Sequence, residues 1–275
     1  MVPSRTDFPH HTLNVNLRAP LRGVIFDYGN TLIGLRPPIR SSRTDYADVV
    51  AGPGAERLAE FLRREGILAG AESVPRFIER FLAIRERDRA RANDSGEEIT
   101  GVASLGAALR ALGHRVPGED ALRRAVAEFY GPELEAVEAL PGAMEMLQGL
   151  KGRGTRVALL SNATSGAYVD EAARRLGMRE HFDPFLVSAD LGYRKPLERV
   201  FRAVLDVWQL PPAEIAMVGD SLYHDIAGAE RLGIQTIHFT ALENPGDAEY
   251  RDRVRPGAVA RTHAELETIL IPLLA

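Results

Sequence analysis

The sequence predicts an α/β protein in which a block of helices is inserted after the first strand of a parallel sheet. Three observations support this prediction. A short apolar run at 23–27 has the composition of a buried strand. From residue 156 onward, similar runs alternate with helical segments, which is typical of parallel sheets with right-handed crossovers. Between these two regions, apolar residues recur at helical spacing over about 55–131.

Each element is predicted from apolar spacing and from the residues that end it. The predicted strands are 23–27, 156–161, 185–189, 215–220, 234–239 and 257–262. In the inserted block, the predicted helices are 55–66, 73–94, 101–113 and 118–131. The remaining predicted helices are 140–154, 165–177, 196–208, 224–232 and 264–274.

Composition narrows the classes of protein to consider. The chain has 275 residues, a net charge of −4 and a pI near 6.0, so nothing indicates a nucleic-acid partner. Cysteine is absent, which excludes disulfides, thiolate catalysis and Cys-ligated zinc. Residues 1–20 lack the apolar core of a secretory signal and are expected to form a flexible tail. No apolar run is long enough to span a membrane, so we expect a cytoplasmic protein. Oligomeric state is not readable from the sequence.

Acidic residues follow the first and the fourth of these strands. Asp27 comes directly after the run at 23–27, and Asp220 and Asp225 belong to "GDSLYHD". Ligands of open α/β sheets bind at the carboxyl ends of the strands, so these side chains are expected to meet. Clustered hard oxygen ligands beside an anion site point to Mg²⁺.

The other two strand ends offer groups that suit an anion. The segment "LLSNAT" places Ser161 and Asn162 at the start of a helix, where backbone amides bind anions. The segment "LGYRKP" carries Lys195, one of only two lysines in the chain. Each of these four segments alone is weak evidence of function, but their occurrence in order at successive strand ends indicates one functional site.

Together these segments resemble the four motifs of the haloacid dehalogenase superfamily. "FDYGNTL", "LLSNAT", "GYRKP" and "GDSLYHDIAGA" match them in order. The resemblance implies a Rossmann-like three-layer sandwich as the core, formed by 21–35 and 139–275. It also implies a helical cap domain of the C1 type at 36–138. The implied activity is Mg²⁺-dependent hydrolysis of a small phosphorylated metabolite.

The resemblance also assigns roles to single residues. Asp27 would attack phosphorus and form an aspartyl-phosphate that water then hydrolyses. Mg²⁺ would be held by Asp27, the backbone carbonyl of Gly29 and Asp220, while Asp225 would orient Asp220 or a water.

Three further groups of the matched motifs would hold the phosphoryl oxygens. These groups are the Ser161 hydroxyl, the backbone amide of Asn162 and the ammonium group of Lys195.

Position 29 departs from the pattern of most phosphatases in this superfamily. They carry an aspartate there, which protonates the leaving oxygen and later activates water, an effect worth roughly 10²–10⁴-fold. Gly29 has no side chain for this. The first interpretation is a phosphatase that uses another group, with His224 and Tyr28 as candidates, or one whose substrates leave without protonation.

Three other functions are weighed against this one. A 2-haloacid dehalogenase also lacks the second aspartate, but such enzymes resemble "DxYGT" and work without a metal, whereas here Tyr28 directly follows the nucleophile. Phosphonate hydrolysis needs a lysine in the cap, and 36–138 contains none. A non-catalytic module that binds a phospho-ligand or a protein would be expected to have lost more of the motif residues.

Overall fold

The structure is a computed structural model that describes residues 16–36 and 46–275. Most of the predicted tail (1–15) and residues 37–45 of the predicted cap lie outside the described residues. The last residues of the predicted tail contact the core. The backbone N–H of Asn16 donates to the carbonyl of Gly257 at 2.7 Å, and Leu17 packs against the main apolar cluster.

The predicted alternation of strands and helices is present. The strands are β1 (Gly23–Phe26), β2 (Ile33–Leu35), β3 (Val137–Ala139), β4 (Arg156–Ser161), β5 (Phe185–Val187), β6 (Ile215–Gly219), β7 (Gln235–Phe239) and β8 (Ala258–Ala260). The first five helices are α1 (Gly52–Arg64), α2 (Ser73–Ser95), α3 (Gly101–Ala111), α4 (Glu119–Ala136) and α5 (Ala143–Gly152). The others are α6 (Gly166–Arg175), α7 (Ser188–Leu191), α8 (Glu198–Trp208), α9 (Gly228–Glu230) and α10 (His263–Leu270).

Six strands form one parallel sheet in the order β5-β4-β1-β6-β7-β8. In the register, Phe26 of β1 pairs with Leu159 of β4 on one side and with Val218 of β6 on the other. Asp27 therefore leaves the sheet from a central strand, between the ends of two neighbouring strands.

Successive residues of the central strands point to opposite faces of the sheet, as the strand period requires. Val24 and Phe26 lie in a cluster with residues of α5, α6 and α10, whereas Ile25 lies in a second cluster with residues of α8. Helices thus cover both faces, and the predicted three-layer sandwich is confirmed. Gly23 permits a close approach from α8, because a Cβ there would lie 2.5 Å from the Trp208 ring.

Helices α1 to α4 pack around an apolar cluster of their own, separate from the two clusters of the sheet. Phe81 lies at the centre of this cluster, 5.8 Å from Phe77 and 5.3 Å from Phe129 between ring centroids. A two-stranded antiparallel ribbon, β2–β3, joins this helical block to the core on both sides. Three-residue strands are too short to show a period, so the ribbon was not predicted.

Several element boundaries differ from the prediction, and two of the differences have a cause in the contacts of the chain. The strand predicted at 185–189 ends at Val187, because Ser188 turns its hydroxyl to the backbone of Ala163 instead of continuing the ladder. Helix α4 continues through Pro132, where the sequence predicts an end. Its last turn is held by tertiary contacts, among them hydrogen bonds from Tyr46 and Tyr168 to Glu133. Within the described ranges, no helix is both long and apolar enough to cross a membrane.

Candidate active site

The acidic residues that the sequence places at separate strand ends meet in the structure. Asp27 follows β1, while Asp220 and Asp225 follow β6, the neighbouring strand. One carboxylate oxygen from each of the three lies within 4.8 Å of the others, and all three residues are buried. The adjacency of β1 and β6 in the sheet is what brings them together.

Asp27 is held by the backbone and by two side chains. Its N–H donates to the carbonyl of Val218 at 2.9 Å. Its Oδ1 accepts from Lys195 Nζ at 2.7 Å, and its Oδ2 accepts from Thr31 Oγ1 at 3.3 Å. Burial raises the pKa of the Asp27 carboxyl, although the positive charge of Lys195 opposes this. Thr31 is a contact that the sequence analysis missed.

Lys195 is the one ammonium group of this cluster. Its side chain is 1% exposed, and its Nζ lies 2.7 Å from Asp27 and 2.6 Å from Asp225. Burial alone would lower the pKa of this lysine, but the two carboxylates outweigh burial and raise it. Lys195 is therefore charged, and it separates two carboxylates that would otherwise repel each other.

Asp220 is oriented by two asparagines from distant parts of the chain. Its Oδ2 accepts hydrogen bonds from Asn30 Nδ2 and from Asn244 Nδ2, each at 3.1 Å. Asn30 adopts the left-handed conformation that the sequence favours for this turn, with φ of 57°. Burial, then the charges of Asp27 and Asp225, raise the pKa of Asp220 well above its ordinary value.

Asn244 belongs to a loop that the sequence analysis did not single out. In the same loop Asp247 is buried and accepts from the N–H of Leu222 at 2.7 Å. His238 Nε2 lies 2.9 Å from Asp247 and 3.1 Å from the Asp220 carbonyl. These contacts fix the chain around the fourth motif. No local pattern marks the loop, since its contacts with the fourth motif join residues 24 and 25 positions apart.

Asp225 has both carboxylate oxygens engaged. Oδ1 faces Lys195, and Oδ2 accepts from the Ser221 N–H at 3.0 Å. Gly219, at the end of β6, permits this approach, since a Cβ there would lie 2.3 Å from the Asp225 Cγ. The described contacts of Asp225 are thus to Lys195 and to the Ser221 backbone, and its predicted role in orienting Asp220 or a water stays a prediction.

The charges of this cluster suit a divalent cation. Three carboxylates share a single ammonium group, which leaves an excess of two negative charges when all are ionised. Burial and the negative charge of neighbouring carboxylates raise the pKa values of Asp27 and Asp220. Oxygen donors with this charge suit Mg²⁺, so the residues fit the predicted ion.

The second motif lies at the end of β4, on the other side of β1. Ser161 is the last residue of β4 and is buried. The side chain of Asn162 makes two hydrogen bonds to the backbone of Lys195, accepting from its N–H at 2.9 Å and donating to its carbonyl at 3.0 Å. That side chain therefore positions the Lys195 loop, and only the Asn162 backbone amide is left for the predicted anion contact.

The backbone conformation at position 29 does not require a glycine. Its φ is outside the left-handed region, and a Cβ added at this position would meet no atom within 4 Å. Its backbone pairs with Ile33 in an isolated bridge. The missing carboxylate therefore leaves open space rather than a site filled by another side chain.

The two candidate substitutes for that carboxylate have different surroundings. His224 Nδ1 lies 3.2 Å from Ser221 Oγ, and its Nε2 is buried without a hydrogen-bond partner. Burial, then the charges of Arg194 and Lys195, lower the pKa of His224 to about 4, so at pH 7 its ring is neutral and a weak base, with little of the protonated form that a general acid needs. Tyr28 is buried in the apolar cluster of the core, and burial raises the pKa of its hydroxyl.

A cavity of about 570 Å³ is lined mainly by the helical block and reaches one residue of the core. Its lining combines charged and apolar residues of α2 with Thr164, which follows the second motif. Tyr130 of α4 and Thr164 contact each other through their hydroxyl groups. The helical block thus contacts the core beside the second motif.

Comparison with known proteins places the chain among related hydrolases. The family model described as haloacid dehalogenase-like hydrolase matches residues 21–233. Ribulose-1,5-bisphosphate 5-phosphatase of Halopiger xanaduensis is 34% identical over 125 residues, which are 46% of this chain and 52% of that protein. Phosphoserine phosphatase of Thermus thermophilus is 31% identical over 134 residues, or 49% of this chain and 53% of that protein. The chain spans about half the length of the curated relatives it matches.

Solved structures match over nearly the whole chain. The magnesium-bound HAD-hydrolase YfnB of Bacillus subtilis aligns with a TM-score of 0.54 at 20% identity, covering 91% of this chain and 99% of that one. The 2-haloacid dehalogenase of Pseudomonas syringae aligns with a TM-score of 0.60 at 25% identity, covering 92% and 99%. The fold is therefore shared with phosphatases and with dehalogenases alike.

Proposed function

The chain belongs to the haloacid dehalogenase-like hydrolase family, and from this premise we propose that it is a Mg²⁺-dependent phosphohydrolase acting on a small phosphorylated metabolite. One observation carries the proposal. Asp27, at the end of a central strand, lies in a buried cluster with Lys195, Asp220 and Asp225. Structural carboxylates rarely gather in this way, since each is costly to bury. The names of several relatives, which are phosphatases of small metabolites, support the same activity.

Asp27 is the nucleophile in this proposal. One carboxylate oxygen attacks phosphorus in line, the bond from phosphorus to the leaving oxygen breaks, and an aspartyl-phosphate forms. Water then attacks that phosphorus, which releases inorganic phosphate and restores the carboxylate. The bonds to Lys195 and Thr31 set the direction of the carboxylate before the attack.

Three groups of this chain would hold the ion: the Asp27 carboxylate, the Asp220 carboxylate and the backbone carbonyl of Gly29. When bound, Mg²⁺ supplies positive charge that reduces repulsion between the nucleophile and the phosphoryl group. Asp225 contributes indirectly, since its two oxygens already hold Lys195 and the Ser221 N–H.

The second and third motifs would bind the transferring group. The Ser161 hydroxyl and the Asn162 N–H would donate to phosphoryl oxygens, and Lys195 would neutralise charge that develops on them. The two bonds between Asn162 and the Lys195 backbone support this arrangement, because they keep the second and third motifs at a constant separation.

We propose that helices α1 to α4, within the predicted boundaries 36–138, act as a cap over this site. Their separate apolar cluster and the β2–β3 ribbon are consistent with a unit that moves relative to the core. Residues 21–35 and 139–275 then form the catalytic core. A closed cap would exclude all water except the one that hydrolyses the intermediate.

The test combines a nucleophile variant with metal removal. Hydrolysis of p-nitrophenyl phosphate and of a panel of sugar, nucleotide and acyl phosphates is measured with Mg²⁺ or with EDTA. We expect Asp27→Asn and EDTA each to abolish turnover, while Asp206→Asn, an exposed change on α8, keeps it.

Three outcomes decide among the functions considered. Turnover that survives both Asp27→Asn and EDTA would refute the phosphohydrolase. Halide release from 2-chloropropionate without metal would show a 2-haloacid dehalogenase instead. No turnover of any compound, with Mg²⁺ binding retained, would favour a binding module.

A further inference from the structure

Arg194 is a buried cation beside the catalytic lysine. It is 8% exposed, and its backbone N–H donates to the carbonyl of Gly96, just after α2, at 2.9 Å. The preceding residue, Tyr193, pairs with Glu97 in an isolated bridge. Arg194 is therefore held at the junction between the core and the helical block, with Lys195 directed to Asp27 on its other side.

The guanidinium group of Arg194 lacks the hydrogen bonds that burial demands. Its Nε and Nη1 are buried with no hydrogen-bond partner among the described residues. The nearest carboxylate oxygen is Glu98 Oε1, which lies 3.7 Å from Nη1, beyond hydrogen-bond range. Glu98 is also engaged elsewhere, since its Oε2 accepts from Ser188 Oγ and its Oε1 accepts from the Ile99 N–H at 3.0 Å.

A buried guanidinium with two unmet donors is costly, and such a group in a native protein calls for an explanation. Glu98 supplies a charge near Arg194 but no hydrogen bond. An anion that brings its own acceptor oxygens would satisfy the fork of N–H groups and lower this cost. The unmet donors thus point to a ligand rather than to a role in stability.

Arg194 is surrounded by charged or titratable groups of both the helical block and the core. Glu98 precedes Ile99, and Ile99 lines the cavity of about 570 Å³ together with Arg85 and Arg89. Burial lowers the pKa of Arg194, Glu98 opposes this, and the positive charge of Arg89 adds to the lowering. The charge of Arg194 also acts on His224, next to the acidic cluster. Arg194 therefore lies within electrostatic range of Arg89, which lines the cavity, and of His224, which follows β6 with the acidic cluster.

We propose that Arg194 is a specificity-determining residue that binds a second anionic group of the substrate, a carboxylate or a second phosphate, in the part of the molecule that leaves with the oxygen. This inference rests on the proposed phosphohydrolase function. It narrows the substrates to phosphate esters that carry another negative charge a few bonds from the ester oxygen.

The experiment compares substrates that differ only in the second anion. One pair is 3-phosphoglycerate and glycerol 3-phosphate, which tests a carboxylate. The other is fructose 1,6-bisphosphate and fructose 6-phosphate, which tests a phosphate. The measured quantity is the ratio of kcat/KM within each pair. We expect the protein to favour the two-anion member of at least one pair by about 10- to 100-fold, the range of charged hydrogen bonds.

Substitution assigns that preference to Arg194. Arg194→Gln is expected to bring the ratio close to one, chiefly through KM of the two-anion substrate, and Arg194→Lys to keep part of it because the charge remains. Arg202→Gln, an exposed change on α8, is the matched control and should keep the full ratio. Circular dichroism checks that each variant is folded, and Arg194→Lys carries the test if the glutamine variant is not.

Binding measurements separate failure of this inference from failure of the proposed function. The same four compounds are titrated into Asp27→Asn, with and without Arg194→Gln, by calorimetry. Selective binding that depends on Arg194, with no turnover by the unmodified protein, would refute the hydrolase and retain the anion site. Turnover with a ratio near one in both pairs, or a ratio that Arg194→Gln leaves unchanged, would overturn the inference.

Discussion

Placing a carboxylate at position 29 tests whether acid–base catalysis limits the proposed phosphohydrolase. Gly29→Asp places a carboxyl group two residues after Asp27, the proposed nucleophile, where the resemblance to the superfamily predicts one. The structure accommodates the change, since a Cβ at Gly29 meets no atom within 4 Å and φ there is not left-handed. The steric cost to folding should therefore be small, and the melting temperature of each variant shows any cost of adding a charge beside the acidic cluster.

The expected gain depends on the leaving group. General acid–base catalysis contributes roughly 10²–10⁴-fold, and we expect the lower end, about 10², because the surroundings of position 29 are not tuned for a carboxyl. The gain should appear in kcat/KM for glycerol 3-phosphate, whose alkoxide must be protonated as it leaves. It should be under about threefold for p-nitrophenyl phosphate, whose phenolate departs without a proton.

Gly29→Asn and Gly29→Ala are the matched controls for this change. Both add a side chain of comparable or smaller size, and neither can donate or accept the proton in question. The assay is a leaving-group series of phosphate esters at saturating Mg²⁺, with melting temperatures recorded for each variant. If Gly29→Asp is no faster than Gly29→Asn on the alkyl ester, another group already performs the acid–base step and the reasoning is wrong.

Three further predictions concern the stability of the site and of the core. Lys195→Met leaves Asp27 and Asp225 without their shared cation, and should abolish activity and lower the free energy of unfolding by about 3–5 kcal/mol. Gly219→Ala forces a Cβ to within 2.3 Å of the Asp225 Cγ, and should cost about 1–3 kcal/mol together with most of the activity. Burial lowers the pKa of His263 in the folded protein. As the pH falls below about 6.5, His263 is therefore protonated more readily in the unfolded chain than in the folded one, and the free energy of unfolding should decrease.

Urea unfolding with matched variants checks all three. Lys151→Met removes the other lysine, which lies on the surface, and should change the free energy of unfolding by under about 0.5 kcal/mol. Gly152→Ala adds a methyl group in open space and should be close to neutral. His263→Gln should unfold with a weaker dependence on pH between 7.5 and 5.5. Equal losses in the test and control variants, or equal pH slopes, would contradict these predictions.

The predicted fold follows from patterns that are local in the sequence. Short apolar runs that alternate with amphipathic segments indicate a parallel sheet. The strands of such a sheet are buried on both faces, so each strand is apolar throughout and can be recognised from its own residues. The same rule places ligands at the carboxyl ends of the strands, and so Asp27, Ser161, Lys195 and Asp220 could be named in advance. Even the left-handed turn at Asn30 is a property of a few neighbouring residues.

The tertiary structure alone decided which partners these residues take. The Asn162 side chain bonds to the Lys195 backbone, and Asn244 reaches Asp220, in each case across more than twenty residues. The open space at Gly29 and the unmet donors of Arg194 likewise cannot be predicted from a sequence motif. Spacing and turn chemistry act over a few residues, whereas these contacts depend on how the helical block packs against the sheet, which is a property of the whole chain.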